Sequence, residues 1–328
     1  MTRILGVLGL LSILYTVLHF THPNATAAGN LIDVASYQGR YGLITLGAAL
    51  VIIIGGIDLS IGSAVGCSAV LFGVLIHKGV HPFAAVPVVL AFGLLLGLVN
   101  GLLITRLKLQ PFLVTLCGMF IVRGVARLIG APVSGTVGAE KVLAVHPEFR
   151  GAIESLRYAL IGKNTEGELL FPAQFLLLLL AAAAVGFFLH RTAYGRYWYA
   201  IGHSELAAKY AGVNVNRHRL AVYVACSALA SLVGVLLFLN EPSVQSDNAG
   251  AGWELYAILG AVLGGCSLRG GEGTAVGMVL GAMVLPVIES IVNFRGEKSD
   301  VIPFIVGLTL LAGTIIDELI RRRSRAAR

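Results

Sequence analysis

The chain has 328 residues, 57% of them hydrophobic and only 12% charged, with a formal net charge of +7. Soluble domains carry ~45–50% apolar and about 25% charged residues, so this composition excludes a large soluble catalytic domain. The excess of Arg and Lys on so apolar a body is assigned to membrane topology rather than to nucleic acid.

In chain order the apolar runs are Ile4–Phe20, Tyr41–Ile57, Ile61–Ile76, Pro82–Thr105, Leu109–Val122, Phe171–Leu189, Leu220–Asn240, Leu255–Leu268, Thr274–Ile288 and Val301–Ile316. The longest approach the ~20 residues that a helix needs to cross a bilayer. In lipid the backbone must satisfy its own hydrogen bonds, and the strict alternation of a membrane β-barrel is missing. The prediction is an all-α, polytopic transmembrane bundle of about ten helices, some broken, in a single domain spanning 1–328. Its 41 glycines suit helices packed closely in membrane lipid.

The charges divide by side. With ten helices, Arg3, Arg106 and Lys108, the loop 191–219, Arg269 and the tail 317–328 share one side, and the near-neutral loop 131–170 takes the other. The positive-inside rule makes the first side cytoplasmic. Both termini are then expected in the cytoplasm of a bacterium, 191–219 as a cytoplasmic loop, 317–328 as a basic tail and 131–170 as a periplasmic loop. Arg3, an apolar run and then Ala25-Thr26-Ala27 imitate a signal peptide, but cleavage would spoil the even helix count.

Asp58 is the only charged residue between Arg40 and Lys78. It follows Gly55 and Gly56 and precedes Ser60, a pattern that breaks a helix. Two roles stand open: a polar break lining a translocation path, or a cap on the next helix by Asp58 or Ser60. Asn100, Gln110 and Thr115 are uncharged polar groups near or within apolar segments, and Pro111 is expected to break a helix. They suit a neutral, polyhydroxylated solute or serve as interhelical hydrogen bonds. Arg123 and Arg127 lie one turn apart on a helix face; they either snorkel, pair with Asp58 or Glu289, or meet sugar hydroxyls. Glu254 and Glu289 are placed near the outer interface, and Trp253 and Tyr256 fit an aromatic belt or a sugar-stacking surface. The four cysteines lie in apolar runs and read as small buried residues.

The loop 191–219 is a basic island holding five Arg or Lys against one Glu. Inside it, Glu205-Leu206-Ala207-Ala208 followed by Gly212 reads as a short amphipathic helix suited to docking another protein. Gly55-Gly56-Ile57-Asp58-Leu59 is echoed by Gly264-Gly265-Cys266-Ser267-Leu268, each copy leading to an Ala-Val-Gly; parallel and inverted repeats both remain open. No HExxH, GxSxG or phosphate-binding loop is present, so ATP hydrolysis is not expected of this chain, and His77 and His81 lack further metal ligands.

Four ordered segments, GGIDLSIGS (Gly55–Ser63), GLVNGLLITRLKLQPFLVTLCGM (Gly97–Met119), GRYWYAIGHSELAAKYAGV (Gly195–Val213) and LGGCSLRGGEGTAVG (Leu263–Gly277), resemble the membrane permeases of ribose-type sugar ABC importers. The galactofuranose-type permeases look most similar. The resemblance implies alternating access driven by cytoplasmic ATPase subunits that carry ATP and Mg, a periplasmic sugar-binding protein, and a second permease copy or paralogue. It implies no cofactor in this chain and a coupling segment at Glu205, Ala207, Ala208 and Gly212. The candidate path comprises Gly55, Gly56, Asp58, Ser60, Asn100, Gln110 and Thr115. Tyr256 stands where many relatives have an acid, Cys266 replaces a commoner Thr, and the loop 131–170 is longer than usual. The rival readings are a proton-coupled secondary transporter of a small polar solute, which would want a chain of intramembrane acids, and a membrane enzyme, which would need a nucleophile–base or metal set.

Overall fold

The computed structural model describes residues 2–21, 27–164, 166–294, 301–309 and 311–312. The helices are α1 (Thr2–Thr21), α2 (Ala28–Ile53), α3 (Ile61–His77), α4 (Pro82–Thr105), α5 (Pro111–Gly130), α6 (Ala139–Val145), α7 (Arg150–Leu160), α8 (Ala173–Arg191), α9 (Ala193–His203), α10 (Glu205–Tyr210), α11 (Val215–Asn240), α12 (Trp253–Leu263), α13 (Ala275–Ala282) and α14 (Val284–Phe294). Residues 301–309 are helical as well. Among the described residues each predicted apolar run falls largely on helix, with 41–57 and 255–268 running on into turns and 274–288 divided between α13 and α14, while 310, 313–316 and the basic tail 317–328 lie outside the described residues. Pro82 and Pro111 open α4 and α5, where the missing N–H costs no helical bond.

Among the described residues, five segments suffice by length and composition to cross a membrane: Pro82–Thr105, Pro111–Val133, Ala173–Arg191, Val215–Asn240 and Ala275–Val292. The core forms around α2 and α11. α11 packs along α4, α3 and α2, and α2 also meets α8, α12 and α13. Residues 38–54 are buried without interruption, as expected of a helix enclosed on every side. Close approach rests on missing side chains: a Cβ on Gly97 of α4 would stand 2.5 Å from the Tyr223 carbonyl of α11.

The loop 131–170 folds into a small cap that holds α6 and α7. Strand β1 (Thr136–Val137) pairs antiparallel with β2 (Val244–Gln245), Thr136 opposite Gln245. Arg157 Nε and Lys163 Nζ donate to the carbonyls of Leu239 and Asn240 at 3.0 and 3.4 Å, placing cations on the negative end of α11. From β2 the chain runs back along α3 without helical structure. A Cβ on Gly66 would overlap the Ala249 carbonyl, and one on Gly62 would overlap Gly250 and the Glu254 carboxylate. This is a re-entrant segment, tolerated at depth because protein surrounds it. α12 therefore starts well inside and has 11 residues, about 16 Å at the helical rise, roughly half the bilayer core.

Candidate functional site

The break after α2 is a helix-ending turn closed by two bonds: Gly55 N–H to the Ile52 carbonyl and Gly56 N–H to the Val51 carbonyl, both 2.9 Å, with Gly55 at φ +81°. The turn after α12 repeats it. Gly265 N–H reaches Val262 and Cys266 N–H reaches Ala261, both at 2.9 Å, with Gly265 at φ +90°. Both are Schellman turns, which need a left-handed residue that glycine supplies cheaply. The echo in the sequence is thus one local geometry used twice. The two turns also meet, because Gly271 N–H donates to the Ile53 carbonyl at 2.8 Å. The hairpins α2–α3 and α12–α13 therefore point their turns to the same end of the molecule.

Asp58 caps the next segment. Its Oδ1 accepts from Ser60 N at 2.8 Å and from Ser60 Oγ at 2.6 Å, whereas the Ser60 side chain makes no capping bond. Asn100 Nδ2 of α4 donates to Ser60 Oγ at 3.1 Å, and the Thr115 hydroxyl of α5 lies 3.0 and 3.2 Å from the Pro111 and Ile57 carbonyls. Asp58, Ser60, Asn100 and Thr115 are each at most 2% exposed. The structure thus joins Asp58, Ser60, Asn100 and Thr115 in one polar knot that staples the break after Gly55 and Gly56 to α4 and α5, with Gly55 itself exposed. Gln110 makes no bond to the knot: it is exposed before α5, and with Asn100 it borders an apolar groove of about 370 Å³ between α4 and α5. Cys117 lines that groove and is exposed, correcting the expectation of four buried cysteines; the other three are buried.

The basic loop 191–219 becomes a helical hairpin through three successive caps. Thr192 Oγ1 accepts from Gly195 N at 3.4 Å, Ser204 Oγ from Ala207 N at 3.2 Å and Asn214 Oδ1 from Arg217 N at 3.2 Å. A third Schellman turn ends α10, with Gly212 at φ +81°. Glu205 accepts from Lys209 Nζ at 2.5 Å and from Arg219 Nη2 at 2.7 Å, which ties α10 to the start of α11. The Lys209 bond and the Arg219 charge hold its carboxyl below the usual glutamate range, against the opposing effect of partial burial. Ala208 is buried and seats α10 on its own chain. Ala207 faces outward with Leu206, 63% exposed, and Tyr210, 85% exposed. The last two form an apolar tip that the sequence reading missed, although their i,i+4 spacing was a legible signal.

The hairpin is wedged against both turns. A Cβ on Gly202 would overlap the Ile53 carbonyl and the Gly271 amide, and one on Gly271 would overlap the His203 ring. Tyr199 Oη donates to the Gly273 carbonyl at 2.7 Å, and Trp198 Nε1 meets His218 Nδ1 at 3.2 Å.

Neither Arg123 nor Arg127 pairs with Asp58 or Glu289, and Asp58 takes the capping role offered for it. Glu289 accepts from Tyr41 Oη at 3.0 Å, Asp58 bonds Ser60, and Arg127 Nη2 lies 3.4 Å from the Asp247 carbonyl. Arg123 Nε and Nη2 are buried and make no hydrogen bond among the described residues. Glu254, expected near the interface, is buried at the start of α12 because the re-entrant segment carries it inward. Trp253 and Tyr256 pack against Tyr41 at centroid distances of 5.0 and 6.1 Å.

The profile of the family described as "Branched-chain amino acid transport system / permease component" matches residues 30–313. The chain is 30% identical over 309 residues to the ribose import permease protein RbsC of Escherichia coli K12, covering 94% of this chain and 91% of that one. It is 33% identical over 291 residues to the inner membrane ABC transporter permease protein YjfF of the same strain, covering 88% and 82%. It is 29% identical over 278 residues to the fructose import permease protein FruG of Bifidobacterium longum, covering 85% and 79%. No solved structure matches the chain significantly.

Proposed function

The chain belongs to this permease-component family, and from that premise we propose that it is the membrane subunit of an ATP-driven sugar importer, moving a monosaccharide by alternating access. A permease component is a transport subunit of a multi-pass membrane protein rather than an enzyme. Membership also weighs against the secondary transporter, which needs no partner subunits. The sugar class rests on relatives named for ribose and fructose import.

ATP and Mg belong on cytoplasmic ATPase subunits in this reading, a periplasmic binding protein delivers the sugar, and a second permease copy or paralogue completes the translocation unit. The chain sits in the bacterial inner membrane with both termini in the cytoplasm. The observation that carries the coupling role is the seat of Gly202, whose backbone touches the end of α2 and the turn after α12. A push on the exposed Leu206–Tyr210 tip reaches both hairpins through that seat. Glu205, Ala207 and Gly212 shape the docking surface, and Ala208 anchors it. The polar knot at Asp58 is then the inner closure of the path, opened when the hairpins shift.

Affinity purification of the tagged chain in mild detergent tests this reading. Recovery of an ATPase subunit, lost on replacement of Glu205 and Gly212, supports it. Recovery of the chain alone, with sugar uptake that stops on uncoupling but not on ATP depletion, replaces it with the secondary transporter.

A further inference from the structure

α8 and α11 each pack along α2, and beside the basic hairpin a groove of about 540 Å³ opens between them. Leu50 of α2 forms its floor. Ala184 and Phe188 line the α8 wall, Ala221, Ala225 and Leu229 the α11 wall, and Tyr194 and Trp198 of α9 stand at its end. Those two aromatics are the only lining residues with a polar side-chain atom, and the Trp198 N–H already donates to His218. A sugar would find almost nothing to bond there, because polyol sites need several convergent polar groups.

Helical register carries both walls on to an arginine. On α8 the stripe runs Ala184, Phe188, Arg191; on α11 it runs Ala225, Ala221, Arg217. Each arginine lies one turn past the last wall residue on the same face. Both are exposed. Glu205 takes Lys209 and Arg219 as its partners, and among the described residues neither Arg191 nor Arg217 has an ion pair. Trp, Tyr and Arg at the end of an apolar groove mark the depth where a bilayer passes from acyl chains to headgroups.

Length and charge decide what fits. From Leu229 to Ala221 the groove follows α11 for about 12 Å at the helical rise, within one leaflet of a ~30 Å hydrocarbon core. A spanning helix would need more than twice that length. A second copy of this chain shares the orientation of the first, so in a two-fold contact it would bring its own Arg191 and Arg217 against these, and like charges oppose that. We propose that the groove binds an anionic glycerophospholipid, one acyl chain lying over Leu50 between the alanine faces and the phosphate meeting Arg191 and Arg217 at the mouth. The site goes beyond the transport reading and holds whichever energy source drives the chain. Its rim belongs to the coupling hairpin: α9, which carries Tyr194 and Trp198, also carries Gly202, seated on Ile53 and Gly271. The lipid braces the hairpin from the membrane side.

Native mass spectrometry of the full-length chain, purified in mild detergent and stripped of endogenous lipid, tests the site. Dioleoyl phosphatidylglycerol is titrated against dioleoyl phosphatidylcholine, which has the same chains and no net charge. Wild type should retain phosphatidylglycerol about tenfold more tightly or better, as two arginines at a membrane surface provide, and its melting temperature should rise with that lipid alone. The R191Q/R217Q double variant should lose both the preference and the rise. If it fails to fold, Ala225→Leu serves instead: it fills the groove from the α11 wall and should release both lipids. Equal retention of the two lipids by wild type leaves only an unselective annulus and overturns the site. So does a preference unchanged in R191Q/R217Q, or retention unchanged in Ala225→Leu. Ala221→Cys chains that cross-link to one another in native membranes would put a second copy in the groove and overturn it as well.

Discussion

Gly271 donates its backbone N–H to the Ile53 carbonyl at 2.8 Å, joining two turns that lie more than two hundred residues apart in the chain. The bond matters because of what sits on each side. Ile53 ends a helix buried continuously from residue 38 to 54, so it cannot move without shifting the packing of α8, α11 and α12 around it. Gly271 belongs to the turn that feeds α13. Gly202 of the hairpin touches both partners. Interfaces packed this closely switch between arrangements rather than deform gradually, which is what alternating access requires.

Asp58 is predicted to act through geometry before charge. Asp58→Ala leaves the Ser60 N–H and hydroxyl without their acceptor in a buried site, a cost of about 1–3 kcal/mol. Asp58→Asn keeps the Oδ1 acceptor and removes a charge whose Oδ2 has no partner. Thermal unfolding in detergent should rank wild type and Asp58→Asn together, with Asp58→Ala below. Equal losses in both variants would show that the charge, not the cap, holds the break.

At Gly212 the residue sits at φ +81° in open space, so a substitution is felt by the backbone alone. Gly212→Ala should cost about 1–2 kcal/mol of hairpin stability, and Gly212→Asn distinctly less, because asparagine visits the left-handed region. ATP-driven uptake should follow the same order. Uptake lost equally in both variants, with the melting temperature unmoved, would point to steric contact between Gly212 and the ATPase.

How much of this was legible in the sequence follows from range. The helices and the glycine breaks at Gly55, Gly56 and Gly212 are local, and apolar run length with cap chemistry makes them legible; the proline starts of α4 and α5 are local too but were not read as such. The exposed Leu206 and Tyr210 pair was also local and was overlooked. The burial of Glu254 was hidden for a physical reason: a re-entrant, non-helical segment carries it inward, and apolar run lengths do not register such a path. The knot at Asp58 was half legible. The capping role could be read from Gly-Gly-Ile-Asp-Leu-Ser, but the closure by Asn100 depends on how α4 crosses α3. Gln110 stays out of the knot because Pro111 starts α5 and leaves Gln110 before it, although Gln110 and Asn100 border the same groove.

Glu205 fixes the pH behaviour of the hairpin. Its folded-state pKa is depressed by Lys209 and Arg219, so its stabilising contribution is present above the unfolded value of about 4.3 and is lost as pH falls through the lower folded value. Coupling should therefore be flat with respect to this group between about pH 5 and 8 and loosen only in more acidic buffer. The Glu205 side chain is 36% exposed and that of Lys209 is 52% exposed, so Glu205→Gln should cost under about 1 kcal/mol. A large loss of ATP-driven uptake alongside that small change in melting temperature assigns Glu205 to partner contact. Parallel losses would make it a structural bridge.

Gly202 gives the sharpest test of the wedge. Gly202→Ala drives a methyl group into the Ile53 carbonyl and the Gly271 amide. Backbone cannot swing aside as a side-chain tip can, so overpacking of about 1–3 kcal/mol is expected. Gly9→Ala in α1 is the control: its Cβ meets open space, and a mid-helix Gly→Ala change favours the helix by about 0.5–1 kcal/mol. In proteoliposomes Gly202→Ala should cut ATP-driven uptake severely while the ATPase still co-purifies, because the docking tip is untouched and only its seat is forced open. Gly9→Ala should transport as wild type. If Gly202→Ala instead releases the ATPase, the seat shapes the docking surface rather than passing its motion on, and the mechanical link between α10 and the two turns would have to run through Tyr199 and Gly273.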